Sequence, residues 1–105
     1  MADAYKTLYG PAQMPNSVAT LATVGGGKSW IIKHASWKNT TGGAVTVYLF
    51  RNGTTDAYAW MSFPIPANGF AEWDGSLAMA ATETIAGYAS SASAVTMTVD
   101  GDEVS

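Results

Sequence analysis

Val45-Thr-Val-Tyr-Leu-Phe-Arg-Asn-Gly53 is the stretch whose reading decides the fold class. Val45, Val47 and Leu49 alternate with Thr46, Tyr48 and Phe50, which is the period of two of a β-strand. β-Branched and aromatic side chains fit a pleated, half-buried surface. Asn52-Gly53 then predicts a hairpin turn, because both residues reach positive φ cheaply. Long runs with a helical period are absent from the chain, and short runs of the same β type recur in both directions.

Upstream, Trp30 to Lys38 predicts a strand that ends in the turn Asn39-Thr-Thr-Gly-Gly43. Strict alternation puts Ile31, Lys33, Ala35 and Trp37 on one of its faces and Trp30, Ile32 and His34 on the other. Two partly apolar faces predict a central strand, or one at a subunit contact. Val18 to Val24 is a further strand, Gly25 to Lys28 a tight hairpin turn, Pro11 to Ser17 a loop, and Tyr5 to Tyr9 the first strand. Downstream, Ala57 to Phe63 predicts a strand stopped by Pro64 and Pro66. Asn68-Gly69 turns into a strand at Phe70 to Trp73, and Asp74-Gly75 turns again. Leu77 to Ala81 is ambiguous, because Ala and Met favour helix and the run is too short for one. Thr84 to Ala89 and Ala94 to Val99 are the last strands, and Asp100-Gly101 is expected to end the domain. About eight short antiparallel strands predict an all-β chain: one β-sandwich, of jelly-roll or immunoglobulin-like kind, over residues 1–105. Residues 1–17 are a possible N-terminal arm, since chain ends and Pro-containing loops are free to reach a neighbour.

Composition narrows the function. The chain has 105 residues, no cysteine and a net charge of −3, so disulfides and thiolate metal sites are excluded. Its five basic residues do not cluster, which speaks against nucleic acid as a partner. No run approaches the roughly 18 apolar residues of a membrane span, so no membrane partner is expected. Met1 to Lys6 carries no apolar signal-peptide core, which predicts synthesis in, and first residence in, the cytoplasm. Only 12% of residues are charged, against about 25% in an average globular chain. With four Trp and five Tyr, that deficit predicts that other subunits cover part of the surface.

Motifs for chemistry lack required partners. His34, the only histidine, has no second histidine or carboxylate at ligand spacing, so a core or surface role is expected. Gly25-Gly-Gly-Lys28-Ser29 resembles the tail of a phosphate-binding loop, but Ala22 stands where its first glycine belongs and a strand follows instead of a helix. Glu72 and Asp74 share one side of a strand, where exposure or turn capping is expected ahead of paired acid–base work. Asp100, Asp102 and Glu103 read as a frayed acidic end ahead of a calcium site. Asn39-Thr-Thr41 and Asn52-Gly-Thr54 match the glycosylation sequon but read as Asn-rich turns. No catalytic residue, metal site or cofactor is expected, and the chain is not expected to be an enzyme. The tryptophans with Tyr48 and Tyr58 raise a carbohydrate-binding alternative, because aromatic faces stack on sugars. Core and interface packing is the plainer reading.

Val18 to Leu49, with Ile65-Pro-Ala-Asn-Gly-Phe70, Trp73-Asp-Gly-Ser-Leu77, Ala81-Thr-Glu-Thr-Ile85 and Val95 to Glu103, resembles small virion structural proteins of tailed bacteriophages. The likeness covers roughly residues 8 to 104. Gly26 stands where that pattern has proline, and Thr82 where it has glycine. The resemblance implies a β-sandwich component of a phage virion, assembled in the host cytoplasm. The expected role is a capsid decoration (cement) protein that bridges subunits on the outside of the shell. A collar, head-fibre or tail component is the alternative. The expected partners are the major capsid protein or other virion proteins and further copies of the chain, with a trimer favoured. Tyr5, Tyr9, Trp30, Trp37, Tyr48, Trp60 and Trp73 are expected to supply core and interface contacts.

Overall fold

The computed structural model describes residues 3–105, with side chains from residue 5. The chain forms β1 (Asp3–Gln13), β2 (Ala19–Thr23), β3 (Ser29–Asn39), β4 (Val45–Arg51), a 3-10 turn at Asp56–Tyr58, β5 (Ala59–Ile65), β6 (Phe70–Met79), β7 (Thr84–Ala89) and β8 (Val95–Val104). One sheet has the order β1-β8-β3-β6 and the other β2-β7-β4-β5. All pairings are antiparallel, and they include β1 with β8, β2 with β7, β3 with β6 and β4 with β5. That nesting is a long hairpin rolled up on itself, with its tip at β4–β5. The chain is therefore an eight-stranded jelly-roll sandwich, and the immunoglobulin-like alternative falls away.

The inner faces enclose one hydrophobic cluster. Trp30, Ile32, Ala35 and Trp37 of β3 and Val95, Met97 and Val99 of β8 meet Val45, Val47 and Leu49 of β4 and Ile85 of β7. The alternation at 45–49 thus points where period two directs it. The end of that strand departs from the pattern, because Phe50 is also buried.

β3 departs from strict alternation for a physical reason. Ile32 pairs with Gly101 and His34 with Asp100, so Lys33 is one extra residue against β8. An extra residue shifts the pleat by one and moves every later side chain to the other face. Trp30 and Ile32 therefore point inward with Ala35, Trp37 and Asn39, while Ile31, His34 and Ser36 are only half-buried. Neighbouring strands are irregular at the same level, at Thr7 to Tyr9 on β1 and between Asp74 and Leu77 on β6. Asp74-Gly75, expected as a turn, is thus a bulge inside β6, and Leu77–Met79 continues that strand.

Other expectations are corrected by pairing. Residues 3–13 of the expected arm are β1, hydrogen-bonded to β8, and Met14 beyond it is 1% exposed. Pro11 is tolerated in β1 because the strand is an edge, and the same holds for Pro64 in β5. Gly25 O accepts a bond from Lys28 N at 3.2 Å, so the turn is tight, but β2 and β3 lie in different sheets and form no hairpin. β4 and β5 do pair, although the 3-10 turn at Asp56–Tyr58 lengthens the loop after Asn52-Gly53. β8 runs past Asp100-Gly101 to Val104. Gly101 is required there, since a Cβ would lie 2.2 Å from Ile31 O.

Thr82, which stands where the resemblance has glycine, has φ +70°. A left-handed conformation costs a β-carbon about 1–2 kcal/mol. Thr82→Gly is therefore expected to raise the unfolding free energy by up to about 1 kcal/mol, after its greater unfolded-state entropy is subtracted. Urea denaturation of the two proteins measures the difference.

Candidate functional site

The seven aromatic residues singled out in the sequence do not converge. Trp30 and Trp37 are core residues, 6% and 1% exposed. Tyr9 is half-buried against the core, and that burial pushes its phenol up from the usual tyrosine range. Tyr5 is 65% exposed on edge strand β1. Tyr48, Trp60 and Trp73 lie on two surfaces that share β5.

The first surface is the flank where the two sheets end in β5 and β6. Trp37, Met61, Phe63, Pro64, Ala71, Glu72 and Trp73 line a groove of about 250 Å³ there. Trp60 and Trp73 meet edge to face with centroids 5.8 Å apart, and Phe63 meets Trp37 in the same manner at 4.9 Å. Leu49 pairs with Met61 and Phe50 with Ala59, so Trp60 is an extra residue in β5. A bulge re-aims the side chain it carries. Trp60 reaches Trp73 on the other sheet, and Arg51 lies over its ring at 6.0 Å. Phe70, at the start of β6, is 66% exposed.

The second surface is the outer face of the β2-β7-β4-β5 sheet. Tyr48 pairs with Tyr88 across strands, and their rings stack at 4.7 Å and 16°. Phe50 lies nearly parallel to Tyr88 at 6.4 Å. Beside these rings, Asp56, Ala59, Trp60, Met61 and Ser62 complete a groove of about 420 Å³. Tyr88 and Asp56 were not legible as members, because the pairing of β4 with β7 and the turn before β5 place them there.

The outer face of the other sheet carries the residues weighed for chemistry. His34 lies opposite Asp74 on β6 and Asp100 on β8. His34 Nδ1 and Asp74 Oδ1 are 2.7 Å apart. The hydrogen bond to Asp74, aided by the charges of Asp74, Glu72 and Asp100, raises the imidazole above its usual range despite some desolvation. The sequence had shown no partner for His34, because Asp74 is distant along the chain. Among the described residues no group of three or more His, Asp or Glu is placed to hold a metal. A raised folded-state value means the pair stabilises fully below the unfolded pKa of about 6.5 and loses that contribution as pH rises through the folded value. Asp74 is largely exposed, so the contribution is in the roughly 0–1 kcal/mol range of surface pairs. An NMR titration is expected to place the His34 midpoint above about 6.5 and to find it lowered in Asp74→Asn.

The acidic end is not frayed. Glu103 accepts a bond from Trp30 Nε1 at 3.0 Å and one from Lys6 Nζ at 3.2 Å, with Lys28 Nζ at 3.5 Å. The Trp30 and Lys6 bonds hold its carboxyl below the usual range. Asn39 of the first sequon is fully buried and Asn52 of the second bonds Glu83 and Thr84, so both are structural turn residues.

These surfaces belong to a jelly-roll sandwich whose features are edges and outer faces. No family model and no curated protein matches the chain. Among solved structures, it is similar to a chain of the naturally occurring empty particles (top component) of cowpea mosaic virus. The TM-score is 0.48 at 15% identity, over 96% of this chain and 86% of that one. It is also similar to the VP2 subviral particle of infectious bursal disease virus, with a TM-score of 0.32 at 9% identity over 97% of this chain and 31% of that one.

Proposed function

We propose that the chain is a structural component of a virus particle, acting by assembly and not by catalysis. The observation that carries this reading is the flank at β5 and β6. Two sheet edges end there side by side over a mostly apolar groove, and Phe70 is exposed at the start of β6. Exposed edges and apolar patches invite association, and a neighbouring subunit would satisfy both. The low charge of the chain and the resemblance to phage virion proteins support the same direction.

Within that reading, the chain is a capsid decoration protein on the outside of the shell, contacting the major capsid protein and further copies of itself, with a trimer as the favoured state. Apolar burial at about 25 cal/mol per Å² acts at each contact, and many copies act together. A collar, head-fibre or tail position is the second placement. Light scattering after gel filtration tests self-association, and cryo-electron microscopy of particles incubated with the protein locates it. Ordered density on the shell, reduced by Phe70→Asp, is the expected result. A strict monomer without affinity for particles overturns the reading.

A further inference from the structure

We infer that the outer groove of the β2-β7-β4-β5 sheet is a binding site for a neutral saccharide. β4 lies between β7 and β5, so Tyr48 has Tyr88 on one side and Ser62 on the other. Tyr88 stacks on Tyr48 from the β7 side, which turns the free face of Tyr48 toward β5. Ser62 and Ala59, both small and exposed, leave room beneath that face. Phe50, 7% exposed, closes the inner wall. The result is a rigid aromatic face over a low floor, with one carboxylate, Asp56, and the hydroxyls of Ser62, Tyr48 and Tyr88 among its lining.

That combination matches the two-sided chemistry of a pyranose. Its C–H face packs on an aromatic ring, and its equatorial hydroxyls donate to a carboxylate and exchange bonds with a hydroxyl. The groove's room, about 420 Å³, falls in the usual range for small-molecule sites, roughly 300–1,000 Å³. Asp56 is the only charged residue in the lining, and its carboxylate repels an acidic sugar at the groove itself. The other tryptophans offer no comparable platform: Trp30 and Trp37 are buried, and Trp60 and Trp73 pack against each other.

The test uses the isolated full chain and soluble glycans, so its outcome does not depend on any particle. An array of neutral and acidic oligosaccharides is screened first, and lactose, maltose and cellobiose are then titrated by saturation-transfer NMR. Binding to neutral glycans is expected, weakened about tenfold or more by Tyr48→Ala and by Asp56→Asn. Asp56 is exposed, so its variant is expected to keep the wild-type Tm, and Tyr48→Phe retains the stacking face and most of the affinity. Absence of glycan binding, binding confined to sialylated or sulfated glycans, or binding indifferent to Asp56→Asn and Tyr48→Ala overturns the inference.

Discussion

Trp37→Ala is expected to lower the unfolding free energy by about 3–5 kcal/mol. Trp37 is 1% exposed and is the largest fully buried side chain. It stands on the central strand β3 against Phe63 of β5, and so joins the two sheets at their open flank. Truncation removes the ring's transfer free energy and leaves a cavity between layers that strand pairing holds apart. Domains of this size are stable by only about 5–15 kcal/mol, so the variant approaches the threshold of folding. Trp37→Phe is expected to cost less, since it keeps an aromatic partner for Phe63 and removes an indole N–H that has no acceptor among the described residues. Guanidinium denaturation followed by far-UV circular dichroism measures both. A loss below about 1 kcal/mol for Trp37→Ala would contradict the core assignment.

Asn39→Ala is expected to cost about 2–3 kcal/mol. Asn39 has no solvent exposure and is the one buried polar residue of the described chain. Its amide donates to Gly43 O at 2.8 Å, Pro66 O at 3.1 Å and Ile65 O at 3.2 Å. Its side-chain oxygen accepts from Thr41 N at 2.9 Å and Thr41 Oγ1 at 2.7 Å. One side chain thus closes the turn after β3 and ties it to the end of β5 in the opposite sheet. Alanine leaves the buried Ile65 carbonyl without its side-chain partner and unties the turn from β5, where water replaces the lost bonds only in part. Asn39→Asp is expected to be at least as damaging, because a carboxylate turns an acceptor toward three carbonyl oxygens. Equilibrium urea denaturation is the measurement, and a change within about 0.5 kcal/mol would show that the network is dispensable.

Asn39 also shows how far a sequence can be read. Asn39-Thr-Thr-Gly-Gly43 is legible as a turn from its residues alone, but the bonds to Ile65 and Pro66 need the opposite sheet. β3 is a sharper case. Its alternation placed Ile31 with Ala35 and Trp37, and the structure separates them at Lys33, because a bulge carries no local signature beyond two faces that both look apolar. Asp74-Gly75 misleads for the same reason, as turn-forming residues also accommodate a bulge. Of the candidate surfaces, Tyr48, Trp60 and Trp73 were visible as aromatics. Trp73 meets Trp60 only across the gap between sheets, and Tyr88 and Asp56 join Tyr48 through strand pairing and a loop.

The period of two at Val45–Phe50 and its repetition along the chain determine, without any coordinates, that this protein is an all-β sandwich. Side-chain alternation is a local consequence of backbone pleating, so it is written in consecutive residues. Only the tertiary structure decided that the sandwich is a jelly roll, which strand lies beside which, and which aromatics stay in reach of solvent. Those outcomes depend on contacts between residues far apart in the chain, chosen by how two sheets bury one shared core, and no short stretch of sequence encodes them.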